Sequence, residues 1–373
     1  MKVAFLLGSL NRGGTETLML DAFRHADDAG FEMICVYRKD GSLSEDFKKT
    51  TVPQIHLRPR FPGDLLYLYK LRKTLRNEKA AMVHAQQAID ALYALLALRG
   101  TGIKVVLTFH GYNYRYGWMR NLITRLIINR TALNIYVSNS QKEDYLENYR
   151  VRNVETQKVI YNGLSFEKFK SFEFRSIRNE FSLPEKSILL GSVGNFVRVR
   201  DQMTICRFLN MLNKSGFDFY FVFAGGKNYF EPERFEECLN YCQQHNLGDR
   251  VFFPGSRNDI PNFLSQLDAF IYSTHFDTFG IAVIEAMFMG IPVFYNNYKV
   301  LHEISEEGNH GIQYKSGDEY DLYNKFMAFI KNQKIVRQLS ISDIQWVKNK
   351  YGIHTFLSSL SEAYRCIHDA NTN

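Results

Sequence analysis

From Ser273 the chain reads Ser-Thr-His-Phe-Asp277-Thr278-Phe279-Gly280-Ile281-Ala-Val-Ile-Glu285-Ala-Met-Phe-Met-Gly290-Ile-Pro292-Val293. An acid in a loop and a second acid on the helix after it can grip different parts of one polar ligand. A helix rises 1.5 Å per residue, which puts Glu285 about 7.5 Å beyond Gly280. Between the two acids, Phe279, Gly280 and Ile281 offer N–H groups without helical acceptors, an arrangement that favours an anion. The apolar positions Ile281, Ile284 and Phe288 share a face, so Glu285 stands in surroundings where burial without a partner is costly. Asp277 has a second reading, as the cap of a helix start at Thr278 and Phe279. Both readings stay open at this point.

Two other segments carry groups suited to phosphate. Gly194-Asn195-Phe-Val-Arg198-Val-Arg200-Asp201 follows an apolar run, and a guanidinium at a strand end suits a phosphate oxygen. Gly13-Gly14-Thr15-Glu16 follows the first apolar run. It is either a tight turn or a loop whose amides approach a diphosphate at a helix start. The spacing from Gly8 to Gly13 is not G-x-G-x-x-G, which disfavours a dinucleotide-dependent oxidoreductase. His110, next to Gly111, reads on its own as structural, and Ser138 reads as a turn or cap.

The elements that must position these groups alternate between short apolar runs and helical patterns, as in parallel sheets of α/β proteins. The runs predict strands at Val3–Leu7, Met33–Tyr37, Met82–His84, Val105–Phe109, Ile135–Val137 and Val159–Tyr161. A second series covers Ile188–Val193, Phe219–Ala224, Val251–Phe253, Ala269–Tyr272 and Pro292–Phe294. Two series imply two doubly wound units, which suits a chain of 373 residues. The break falls after Asn162-Gly163, in the polar stretch from Ser165 to Glu185. The expected domains are 1–170, 171–350 and a C-terminal helix, 351–373, that crosses back to the first. Residues 335–370 read as helices interrupted at Tyr351-Gly352.

The spacing of Asp277 and Glu285, with Phe-Gly between and Glu-Ala-Met-x-x-Gly-x-Pro-Val after, resembles the donor-site signature of retaining glycosyltransferases of family 4. Gly13-Gly14-Thr15-Glu16 resembles that family's glycine loop, Phe109-His110-Gly111 its acceptor-side histidine, and Val159–Gly163 its pre-linker Asn-Gly. Gly194 to Asp201 resembles its phosphate-binding strand end. Phe253-Pro-Gly255-Ser-Arg257-Asn-Asp259-Ile260-Pro261 resembles the turn that holds the base. The resemblance covers nearly the whole chain. It implies the GT-B fold, two Rossmann-like domains facing a central cleft, with C-terminal helices packing back across the boundary. It also implies roles: Glu285 on ribose hydroxyls, Asp277 on the sugar, Arg200 or Arg198 on phosphate, and His110 on the transferred sugar. Asn195, Arg257, Ile260, Thr278, Phe279, Gly280 and Ile281 fall in the donor-binding segments. Ser138, Tyr112 and Asn113 are minor acceptor-side candidates. The departures are Asp277 where Glu is usual, Asn195 where Arg is usual, and Arg200 where Lys is usual.

The implied reaction moves a sugar from a nucleotide sugar, UDP-linked first and GDP-linked second, to a glycan or lipid-linked glycan in cell-surface polysaccharide synthesis. Such enzymes retain anomeric configuration by front-face attack without an enzyme nucleophile. The sequence holds no Asp-x-Asp pair, so neither a metal nor another cofactor is expected, and Arg200 with backbone amides must neutralise the leaving diphosphate. The shortened Asp277 and the Asn at 195 motivate one alternative, a non-catalytic GT-B subunit that supports another transferase.

Residues 1–170 hold 26 Lys and Arg against 16 Asp and Glu, out of 46 and 39 in the chain. The positive surplus therefore sits in the first half, where it suits an anionic membrane face. Basic aromatic stretches at 112–130 and 64–79 fit peripheral contact, with a solvated helix face as the other reading. No nucleic-acid recognition module appears. The longest apolar stretch, Ala88–Leu98, contains Asp90 and is about half the length needed to cross a bilayer. Five scattered cysteines read as reduced thiols. A cytoplasmic location, peripheral at the inner membrane face, is expected.

Overall fold

The structure, a computed structural model, describes residues 1–112 and 117–369. It divides into two compact units, one of residues 1–165 together with the segment from Tyr351 onward, the other of Phe166–Lys350.

Unit 1 begins β1 (Lys2–Leu7), α1 (Gly14–Arg24), β2 (Glu32–Tyr37), α2 (Ser44–Lys48), β3 (Gln54–His56) and α3 (Leu65–Asn77). It continues β4 (Met82–Ala85), α4 (Ala88–Ala97), β5 (Lys104–Phe109), α5 (Trp118–Ile128), β6 (Leu133–Tyr136), α6 (Asn139–Asn148) and β7 (Gln157–Val159). The strands lie parallel in the order β3-β2-β1-β4-β5-β6-β7. Helices cover a parallel sheet on both faces, which is why β1 is a near-continuous apolar run with Val3 to Leu7 all buried.

Unit 2 runs α7 (Glu167–Lys170), α8 (Ile177–Glu180), β8 (Ile188–Val193), α9 (Gln202–Lys214), β9 (Phe219–Ala224), α10 (Glu233–Gln244) and β10 (Val251–Gly255). Then come α11 (Ile260–Ser265), β11 (Ala269–Tyr272), α12 (Ile281–Phe288), β12 (Val293–Asn296), α13 (Lys299–Ile304), β13 (Ile312–Tyr314), α14 (Glu319–Lys331) and α15 (Gln333–Tyr351). Its strands take the order β10-β9-β8-β11-β12-β13, all parallel. Phenylalanines dominate its core, among them Phe196, Phe208, Phe219, Phe221, Phe294 and Phe326.

Both sheets are Rossmann-like. In each, the strand order reverses beside the first strand, between β1 and β4 and between β8 and β11. In open α/β sheets such a switch point, at the carboxyl ends of the strands, is where ligands bind. The last helix, α16 (Ile353–Asp369), belongs to unit 1. Its stripe of Ile353, Phe356, Leu357, Leu360, Ala363 and Tyr364 joins the core formed by β1 and α1.

The prediction missed β3 and β13, three-residue strands at sheet edges with little apolar content. It also placed β7 two residues late. Edge strands bury less and leave a weaker pattern.

Candidate functional site

At the switch point of unit 2, the loops after β8 and β11 meet. An isolated antiparallel bridge joins Arg200 to Thr274, and the Arg200 Nη1 donates to Asp277 Oδ2 at 3.0 Å. The guanidinium also lies 4.5 Å over the Tyr272 ring, whose hydroxyl donates to the same Asp277 oxygen at 2.5 Å. Burial lowers the Arg200 pKa against the opposing pull of Asp277. The other oxygen, Oδ1, accepts from the amides of Thr278 and Phe279 at 2.7 and 3.3 Å. The capping reading of Asp277 is therefore present in the geometry, and it corrects one expectation: the Phe279 amide is occupied. Those of Gly280 and Ile281 stand at the start of α12 with no acceptor a turn before them. Gly280 makes that start with φ +77°, a left-handed backbone that glycine adopts without strain.

Glu285 is 8 % exposed, and its Oε1 accepts from Lys168 Nζ at 2.8 Å. Lys168 arrives from α7, the first helix of unit 2. That helix is fixed by Phe166, stacked on Phe288 with centroids 3.9 Å apart, and by Phe169 against the edge of the same ring. Glu285 and Phe288 lie one turn apart on α12, so a single helix face receives both contacts. Lys168 was not among the sequence candidates, because a lysine in a polar linker carries no local signal.

The remaining donor-side candidates spread around this centre. Asn195 Oδ1 accepts from the Gly226 amide at 2.9 Å. Gly225 is needed next to it, since a Cβ there would sit 1.9 Å from the Gly194 carbonyl. Arg198 is exposed, and its amide donates to Glu231 at 2.7 Å. Arg257 is spent internally: it grips Glu180 through both terminal nitrogens at 2.7 and 2.9 Å and Asp259 at 2.8 and 2.9 Å. These bonds hold the turn after β10, with Ile260 at the start of α11.

In unit 1, Gly13 is the N-cap of α1 and Gly14 and Thr15 are its first residues. His110 follows β5, its Nε2 2.8 Å from Gln86 Oε1, and burial pushes its pKa down to about 4. Two acceptor-side candidates are buried. Ser138 is fully buried and caps α6 by accepting from the Gln141 amide. Tyr112 is buried against Tyr145, so packing claims both residues. Asn113 lies outside the described residues. Gln86 escaped the sequence reading, although it follows β4 just as His110 follows β5.

A matched model described as "Glycosyl transferases group 1" covers residues 173–346, and one described as "Glycosyltransferase Family 4" covers residues 12–168. The chain is a group 1 glycosyltransferase of the GT-B fold. The glycosyltransferase is 25% identical over 324 residues to the "O-antigen biosynthesis glycosyltransferase WclY" of Escherichia coli, covering 82% of this chain and 83% of that one. A second Escherichia coli relative, "UDP-Gal:alpha-D-GlcNAc-diphosphoundecaprenol alpha-1,3-galactosyltransferase", is 23% identical over 76% of each chain. Among solved structures, Anabaena HepE in complex with UDP and glucose superposes with a TM-score of 0.82 at 18% identity, over 98% of this chain and all of the other.

The glycosyltransferase also contains a buried histidine the site does not expose. His84, 1 % exposed, has Nδ1 2.5 Å from the Tyr364 hydroxyl and Nε2 2.7 Å from Thr108 Oγ1. Burial pushes its pKa down to about 3. The unfolded chain takes up that proton near pH 6.5 and the folded chain does not, so stability is full above 6.5 and falls as the pH drops towards 3. His84 alone should remove about 2 kcal/mol at pH 5. Urea unfolding at pH 7 and pH 5 checks this: His84→Asn should lose about one proton's worth of the pH slope.

Proposed function

We propose that this glycosyltransferase moves a hexose from a nucleotide sugar to a glycan or lipid-linked glycan in cell-surface polysaccharide synthesis, with retention of configuration. The observation that carries the reading is the convergence of Arg200, Asp277, Glu285 and the open amides of Gly280 and Ile281 around one helix start. Glu285 takes the ribose hydroxyls. Arg200 and the amides meet the diphosphate, whose charge grows as the bond from the anomeric carbon to phosphate oxygen breaks. The acceptor hydroxyl attacks that carbon from the face the diphosphate leaves and gives its proton to the departing phosphate oxygen. No enzyme nucleophile and no metal is assigned a step. UDP is favoured over GDP because the second relative's name specifies a UDP sugar and HepE was solved with UDP.

A ligand that binds only the native state raises its melting temperature. UDP sugars should therefore stabilise the protein more than GDP, ADP or CMP sugars in a thermal-shift screen, and equal shifts from all four would defeat the preference. One observation favours a non-catalytic subunit: both Asp277 oxygens are already taken. Transfer or donor hydrolysis that vanishes in Glu285→Ala excludes that reading.

The membrane part of the proposal rests on unit 1. Leu65, Leu66 and Tyr69 of α3 and Trp118, Met119, Leu122 and Leu126 of α5 are exposed, with Trp118 at 76 %. Both helices pack against α4. Exposed Lys70, Lys73 and Arg125 lie among these side chains, which suits insertion at an anionic leaflet. Among the described residues no helix is long and apolar enough to cross a membrane. Liposomes with anionic lipid should sediment the protein, and Trp118→Ser with Leu122→Ser should weaken this at least tenfold; the same sedimentation by the double variant rejects the face.

A further inference from the structure

Unit 2 has a charged cavity of about 510 Å³ lined by the cations Arg178, Lys186, Lys334 and Arg337 and by two acids, Glu185 and Asp268. Ile188 opens β8 and Asp268 directly precedes β11. The cavity therefore lies at the amino ends of two strands whose carboxyl ends lead to Arg200 and Asp277. The six residues of β8, at about 3.3 Å each, separate the two edges of the sheet by roughly 20 Å. No small ligand at one edge reaches the other.

Arg178 is committed to the fold: its Nη1 donates to Pro184 O and Ser187 Oγ at 3.0 and 2.9 Å, and its Nη2 to Ser187 O at 2.9 Å. Asp268 Oδ2 accepts from the Leu189 amide at 2.9 Å and stands 3.5 Å from Arg178 Nη2, while Oδ1 accepts from Arg337 Nη2 at 2.5 Å. One carboxylate thus serves two guanidiniums. Lys186 and Lys334 are exposed, and among the described residues neither ammonium group has a hydrogen-bond or ion-pair partner. Four positive groups meet two negative ones, in the part of the chain beyond residue 170, where acids outnumber bases. Like charges gathered on a concave wall repel one another, and the field they focus attracts a counter-anion. Lys334 and Arg337 lie one turn apart on α15. The amides of residues 333–335 precede the first helical bond there, from Val336 N to Asn332 O, so the same wall receives the positive end of a 19-residue helix.

We infer that this cavity binds a small soluble anion carrying more than one phosphate charge, through Lys186, Lys334 and the remaining N–H groups of Arg337. The positive surplus matches a polyvalent group, and a guanidinium takes two phosphate oxygens at once. A cavity of this volume holds a small molecule. Arg200 takes no part, so this site and the donor-site reading fail separately.

Calorimetry with inorganic pyrophosphate tests the site in Arg200→Ala, which lacks the guanidinium at the opposite edge of the sheet. Pyrophosphate should bind this variant. Adding Lys186→Gln and Lys334→Gln, both exposed changes, should weaken that binding at least tenfold, whereas adding Lys315→Gln and Lys348→Gln, exposed lysines that do not line the cavity, should leave it within threefold. In the wild-type protein, pyrophosphate should slow hydrogen exchange in segments 184–190 and 332–338. Absence of binding by Arg200→Ala, equal losses from the two lysine pairs, or protection confined to segment 277–285 overturns the site. Phosphatidylglycerol vesicles separate a lipid headgroup from a free phosphate: they should sediment the wild type and the Lys186→Gln, Lys334→Gln variant alike. Sedimentation lost in that variant, without pyrophosphate binding, would assign these charges to a membrane and also overturn the proposal.

Discussion

Glu285→Gln lowers nucleotide-sugar affinity by roughly 2 to 3 kcal/mol, about thirty- to 150-fold, the worth of hydrogen bonds to a charged group. The change keeps the side chain's shape at a site that is 8 % exposed, so a cavity contributes nothing to the loss. It also leaves Lys168 without its counter-charge, but that lysine is 48 % exposed and stays hydrated. Lys168→Met should therefore cost much less than Glu285→Gln, under tenfold, since a half-exposed ion pair is worth little in itself. Calorimetry with the donor and urea unfolding of each variant check the pair of statements together. Equal losses in both variants would mean that Lys168, rather than Glu285, meets the ligand. A large loss of folding stability in Glu285→Gln would make the residue structural.

Arg200→Ala lowers kcat by roughly a hundred- to a thousandfold, the range seen when one donor to a developing oxyanion is removed. The reason is visible in the geometry, where a guanidinium stacked on Tyr272 is held by Asp277 at the switch point of unit 2. Arg200→Lys should restore only part of the rate, because an ammonium offers a point charge and cannot reproduce the planar fork. Asp277→Asn provides the contrast. It releases Arg200 from its carboxylate, so UDP itself should bind as well as before or better while transfer falls. Steady-state kinetics with UDP as a competing ligand distinguishes the two effects. Tighter UDP binding without loss of transfer would confine Asp277 to its capping role.

Much of this was readable in the chain, and the unreadable parts share a physical cause. Asp277, Gly280 and Glu285 sit within nine consecutive residues, and local spacing exposes them. The buried strands announce themselves because both faces are covered, as in Ile188–Val193 and Phe219–Ala224, whose predicted bounds match the structure. Lys168 and Gln86 meet their partners Glu285 and His110 across 117 and 24 residues, and nothing in their own neighbourhoods marks them. Arg257 illustrates the converse. Its segment has a recognisable pattern, but the acids that claim its guanidinium, Glu180 and Asp259, decide what the side chain does. Ser138, read as a turn or cap, does cap α6, and the burial of Tyr112 depends on packing that its local sequence does not display.

The C-terminal helix has a consequence for how the protein is made. Unit 1 is discontinuous: its core, with Val3, Phe5 and Phe23, is closed by Leu357, Leu360 and Tyr364 of α16, and all of unit 2 lies between them in the chain. Domains generally fold as units during synthesis, the earlier one first. Here the order is inverted at the finish. Unit 2 has been synthesised in full before α16 is translated, so the half that is begun first is completed after it. Until then the nascent chain carries an open apolar face over β1 and α1, and the codons of α16 govern whether β1 is ever fully covered.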